Sequence, residues 1–156
     1  MKKIDKKTYV CALLKANVVN GNGRVYSPET LESIKKQFGE LNHPMYGELG
    51  YPDSYITTLS NASHKVNKLF TSVDKIPRKK KKKLKKAGLY KRIKNSEPIL
   101  WGEIKVFKKS TEKIISGLVA RPRGTGVIES DGQVKDYKIF SFDLIPREDD
   151  SFKNIL

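Results

Sequence analysis

The spacing of apolar residues changes several times along the chain, and each change predicts an element. Thr8 to Ala16 (TYVCALLKA) is a continuous apolar run bordered by lysines, which predicts a buried strand or a short buried helix. Asn20-Gly21-Asn22-Gly23 predicts a turn. Ser27-Pro28-Glu29 then opens a helix. Ser27 can accept hydrogen bonds from the first free amides, Pro28 suits the first helical position, and Glu29 suits the positive end of the dipole. Leu31, Ile34 and Phe38 form its apolar face, and Gly39 ends it. Residues 39–53 (GELNHPMYGELGYPD) are rich in Gly and Pro and predict loop. Short strands are expected near Tyr55–Leu59 and Lys65–Phe70, and a longer one over the alternating Pro98–Phe107 (PILWGEIKVF). Thr111 to Leu118 suits a short helix, and Arg121 to Gly126 a loop. Val127–Asp131 and Val134–Leu144 read as strands joined by an Asp131-Gly132 turn. The tail from Pro146 to Leu156 has few residues of the buried type. The sum is an α+β fold, mainly β: a barrel-like or strongly bent antiparallel sheet with two or three flanking helices, in one domain over residues 1–156.

Composition narrows the chemistry. The 156 residues supply one sizeable core, and seven Tyr, six Phe and one Trp argue against disorder. No apolar run reaches the ~18–20 residues of a membrane span, and the lysine-rich start lacks the apolar stretch of a signal peptide. Cys11 stands alone, which excludes an internal disulfide and a multi-cysteine zinc site and suits a reducing compartment. Two histidines argue against a histidine-based metal site. No metal, cofactor or membrane partner is expected.

Charge is concentrated rather than spread. The net charge is +15, but residues 75–94 hold twelve basic residues and no acidic one, which leaves the rest of the chain at +3. The segment of about 75–95 therefore interrupts a nearly balanced domain, with a short tail at 147–156 beyond it. Five consecutive lysines, Lys79 to Lys83, repel one another, so the isolated segment should be mobile or only partly helical. It can be a solvated surface loop, a contact for an acidic protein, or a contact for nucleic-acid phosphates. The contact residues would be Arg78, Lys79, Lys80, Lys81, Lys82, Lys83, Lys85, Lys86, Lys91 and Arg92. Tyr90 is the only aromatic among them, so stacking on single-stranded bases is not indicated.

The histidines, His43 and His64, lie 21 residues apart around the Gly/Pro-rich stretch. Several serines are present, but no GxSxG elbow, and Gly21-Asn22-Gly23 lacks the remaining glycine of a dinucleotide fingerprint. Four ordered blocks nevertheless resemble the prohead proteases of tailed bacteriophages, which share their fold with the herpesvirus assembly protease. Residues 22–28 (NGRVYSP) are similar to the family's N-G-R-x-Y-P, residues 46–52 (YGELGYP) to its G-E-L-x-H-P, and residues 62–66 (ASHKV) to its S-H-K-I. Residues 117–126 (GLVARPRGTG), with 142–146 (FDLIP) after them, are similar to its G-V-S-S-R-G-x-G and F-D-x-V-x-x-P.

The resemblance implies a general-base histidine in G-E-L-x-H-P and a nucleophile at the first serine of V-S-S-R-G. The matching positions here are Tyr51 and Ala120. Alanine has no nucleophilic atom, and a phenol with a reference pKa near ~10 is a poor base at neutral pH. Arg121, Arg123 and Gly124 still resemble the family's oxyanion-stabilising loop. Residues 39–44 (GELNHP) match G-E-L-x-H-P letter for letter, so His43 is a second candidate base, with His64 as another and Ser116 as a fallback nucleophile. The expectation is a structural phage capsid protein, auxiliary or at a vertex, on a prohead-protease-like fold without catalysis. It would contact capsid or portal-vertex proteins, and packaged DNA through the lysine run. It would reside in the phage head, and in the host cytoplasm during assembly. An active prohead maturation serine protease and a small basic nucleic-acid-binding module are the alternatives.

Overall fold

The apolar run of residues 8–15 becomes a strand with two buried faces, and that decides how the chain is layered. The computed structural model describes residues 1–96 and 98–152. Strand β1 (Lys2–Asp5) is followed by β2 (Thr8–Lys15), helix α1 (Pro28–Gly39), β3 (Met45–Glu48) and β4 (Ala62–Phe70). Helices α2 (Arg78–Lys86) and α3 (Tyr90–Lys94) come next, then β5 (Ile99–Val106), α4 (Lys109–Ile114), β6 (Leu118–Ile128) and β7 (Val134–Pro146). The first five strands form one antiparallel sheet in the order β1-β2-β5-β4-β3, and β6 and β7 form a long hairpin. The fold is thus α+β, mainly β, as expected. No described helix is long and apolar enough to cross a membrane.

Side chains alternate across a strand. In β2, Tyr9, Cys11 and Leu13 face a core shared with α1 and the β6–β7 hairpin, while Val10 and Ala12 face a second core. A bulge at Ala12/Leu14 lets Leu13 and Leu14 both turn to the first core. Strand β5 follows the same rule: Leu100, Ile104 and Val106 enter the first core, and Ile99 and Trp101 the second. Trp101 is fully buried and donates its Nε1–H to Ser96 Oγ at 3.1 Å, so its polar end is satisfied. Gly102 leaves the space that Leu13 fills, since a Cβ there would lie 2.6 Å from Leu13 Cδ1.

Helix α1 forms as its sequence dictates. Ser27 Oγ accepts from the Thr30 amide at 3.1 Å, Pro28 opens the first turn, and Leu31 and Ile34 are fully buried. The Asn20–Gly23 turn is closed by Asn20 Oδ1, which accepts from the amides of Asn22 and Arg24. The Asp131-Gly132 turn joins β6 to β7, with Gly132 at φ +85°.

Several expectations are corrected. Residues 45–48 are not loop but the edge strand β3, and Lys2–Asp5 adds β1. Residues 55–59 are not a strand. Arg121–Gly126 is not a loop but the middle of β6, bulged at Arg123/Gly124 and Thr125/Val127. The tail, although poor in residues of the buried type, buries Asp150 and Phe152; residues 153–156 lie outside the described part. The lysine-rich segment folds into α2 and α3, so the described residues form four α-helices. It is not a solvated loop: Leu84, Leu89 and Ile93 are buried against Phe70, Ile99 and Trp101, and complete the second core. The continuous apolar pattern of β2 needs such a cover on both faces.

Candidate functional site

The loop after β3, the middle of β6 and the C-terminal tail meet over a cleft of about 390 Å³. Tyr51, Arg121, Arg123, Asp143 and Asp149 line it, with Asn22 and Arg24 from the Asn-Gly turn. The structure therefore brings together Tyr51, Arg121, Arg123 and Gly124, which the sequence separates by about 70 residues. Gly50, at φ +95°, aims the loop, and its amide donates to the Leu144 carbonyl at 2.8 Å.

Tyr51 is 65% exposed. Desolvation and the neighbouring Asp149 and Glu148 carboxylates push its phenol up to about 12. It is therefore a neutral donor across the physiological range, not a base. Ala120 is fully buried, turned into the first core rather than the cleft.

Both arginines are committed. Arg121 Nε and Nη2 donate to the two oxygens of Asp150, and Nη1 donates to the carbonyls of Ala12, Leu13 and Ala120. Arg123 donates to both oxygens of Asp143, to the Ser54 carbonyl and to Thr57 Oγ1, which ties the loop after β3 onto β6. Asp143 also accepts from the Glu48 amide at 2.9 Å. Burial pushes its carboxyl up from the usual value, against the pull of that amide and of Arg123. Gly124 has no room for a side chain, since a Cβ would run into the Lys138 carbonyl and the Tyr137 ring. The three residues expected to form an oxyanion loop thus lie in a strand, with both guanidinium groups neutralised by carboxylates.

The fallback residues are dispersed. His43 lies on a separate apolar groove of about 740 Å³ lined by Leu41, Tyr46, Tyr55, Ile56 and Phe140; no serine or cysteine lines it among the described residues. Ser116 sits in an exposed 3₁₀ turn, where its carbonyl accepts from Arg147 at 3.4 Å. His64 is fully buried beneath β3. Its Nε2 lies 2.8 Å from the Phe142 carbonyl and its Nδ1 2.9 Å from Ser63 Oγ. The carbonyl can only accept, so Nε2 carries the proton and Ser63 donates to Nδ1. This serine–histidine contact is shut off from substrate, and a Cβ at Gly47 would collide with the ring. The cleft holds Ser151 but no histidine or cysteine among the described residues.

Burial lowers the pKa of His64 to about 4, against the opposing Phe142 hydrogen bond. Its unfolded value is near ~6.5, so below that pH the unfolded state takes up a proton that the native state refuses. Stability from this group is complete above pH ~6.5 and is lost as pH falls towards 4, by about 3 kcal/mol in all. Urea titrations at stepped pH should show that loss. His64→Asn, less stable at every pH, should lack this part of the slope.

Asp143 and Asp149 of the cleft, and Asp150 buried behind it against Arg121, are the residues that sequence reasoning missed. The signal for Asp143 and Asp150 was the pair of arginines beside an apolar stretch, since a buried guanidinium needs carboxylate partners.

The fold is similar to that of a phage capsid assembly protease. The solved structure of the bacteriophage T4 capsid assembly protease, gp21, is similar to it with a TM-score of 0.61 and 17% sequence identity, over 88% of this chain and 80% of that one. At that identity the likeness is one of fold. No family model matches the chain, and no curated protein matches it in sequence.

Proposed function

We propose that this protein is a structural component of a tailed-phage head, built on a capsid-assembly-protease fold and without proteolytic activity. The observation that carries this reading is the composition of the cleft. Where the family blocks converge, Tyr51 is a neutral phenol near the Asp149 and Glu148 carboxylates, Ala120 is buried, and the arginines are neutralised by Asp143 and Asp150. A serine hydroxyl needs an adjacent base to attack a carbonyl, and both histidines lie elsewhere. The surfaces of the fold remain, and they would serve contacts with capsid or portal-vertex proteins. The protein would then act in the host cytoplasm during assembly and stay in the phage head.

The folded protein, incubated with a serine-reactive phosphonate, should show no adduct by intact mass and should leave phage head precursors uncut. A stoichiometric adduct on Ser151 or Ser116, together with cleavage, would overturn the reading in favour of a maturation protease with a relocated serine.

A further inference from the structure

Helix α2 sorts its lysines by direction. Leu84 is its one buried residue and defines the inward face. At 3.6 residues per turn Lys80 lies on that same face, Lys83 and Lys85 on the flanks, and Arg78, Lys79, Lys82 and Lys86 on the side pointing away. The contacts agree. Lys80 pairs with Glu103 on β5 and lies over the Phe70 ring at 5.1 Å, and Lys83 pairs with Asp5 on β1. Lys81 and Lys85 cover Tyr90, at 5.0 and 5.6 Å from its centroid. Arg78, Lys79, Lys82 and Lys86, with Lys91 and Arg92 of α3, are exposed, and none has an acidic partner among the described residues.

We propose that this outer face binds the phosphate backbone of double-stranded DNA without reading its sequence. The face is held rigidly, because the inward residues pin the helix to the sheet. It contains cations and no exposed apolar or aromatic residue. A protein interface needs apolar or aromatic anchors and is depleted in lysine, so an acidic protein partner fits it poorly. Phosphates need only the charges. Single strands are held by stacking on aromatic side chains, and the one aromatic here, Tyr90, is covered by Lys81 and Lys85. Arg78, Lys82 and Lys86 stand four residues apart and rise about 6 Å per step, a row that can follow a groove edge. Bound phosphates would also relieve the repulsion among the lysines, so DNA should raise the melting temperature of the protein. The proposal stands apart from the reading of the fold as a head component, and either can fail alone.

The test is fluorescence anisotropy of the whole protein on a ~30-base-pair duplex of arbitrary sequence, from ~50 to ~200 mM salt. Six phosphate contacts predict an affinity loss of about 10³-fold over that range. The triple variant Lys79→Ser, Lys82→Ser, Lys86→Ser should bind more weakly and lose only about 40-fold, while arginine at the same three positions keeps the steep dependence. The serine variant removes like charges from exposed positions, so its melting temperature should be no lower than that of the parent. Absence of duplex binding at ~50 mM salt, or an unchanged salt slope in the serine variant, would overturn the proposal. So would tighter binding to a poly-glutamate peptide or to a single strand, which would assign the face to an acidic protein or to single-stranded nucleic acid.

Discussion

Replacing Asp150 by alanine should destabilise the protein by about 3–5 kcal/mol, a large part of the 5–15 kcal/mol available to a typical domain. The carboxylate and the Arg121 guanidinium are 9% and 8% exposed, and they meet through two parallel hydrogen bonds. Removing Asp150 leaves a buried cation whose remaining partners are three carbonyls, those of Ala12, Leu13 and Ala120. The loss should spread to the tail, because Asp150 also accepts from the Phe152 amide at 2.9 Å and the Phe152 ring lies under the guanidinium at 5.5 Å. Urea unfolding of Asp150→Ala, Asp150→Asn and the double replacement Arg121→Met, Asp150→Leu checks this. The asparagine variant should fall between parent and alanine, and the double variant should recover much of the loss, since no charge then stays unpaired. A loss under ~1 kcal/mol for Asp150→Ala would mean that Arg121 is not held by this clamp and stands free as a cation of the cleft.

The second large effect is expected at Leu84. It is fully buried and is the single apolar residue among the nine of α2. Leu84→Ala removes the contact that holds a self-repelling helix to Phe70, Ile99 and Trp101, at a cost of about 2–5 kcal/mol. Repulsion among the lysines favours opening, so the helix pair should detach before the sheet unfolds. Limited trypsin digestion reads this directly, because the segment is dense in cleavage sites. The parent should resist at Lys79–Lys86, and Leu84→Ala should be cut there first. Equal resistance in both proteins, with equal urea midpoints, would show that the Lys80–Glu103 and Lys83–Asp5 pairs hold the helix without Leu84.

Elements whose causes are local were legible. Ser27, Pro28 and Glu29 start α1 through bonds and a dipole that act within one turn. Asp131-Gly132 turns the hairpin because Gly132 accepts a positive φ. The strands β4, β5 and β7 followed from apolar spacing, which left β2 open between strand and helix. Strand β3 was hidden because Met45–Glu48 lies between Gly and Pro residues that suggest loop; its pairing with β4 creates it. The middle of β6 was hidden in the same way by Pro122, which pairs with Phe142, and by Gly124, which sits at a bulge and a close approach of backbone.

The same division governs the cleft and the basic segment. Sequence alone determined that Tyr51 and Ala120 are a phenol and a methyl group, and that twelve positive charges fall within residues 75–94. Tertiary structure decided that Tyr51 faces Asp149, that Ala120 turns inward, and that Arg121 and Arg123 are neutralised by Asp150 and Asp143. It also decided which lysines of α2 are tied to the sheet and which are left for a ligand. Residue identity and local backbone preference travel with the sequence. Pairing and burial across the fold depend on which distant segments packing brings together.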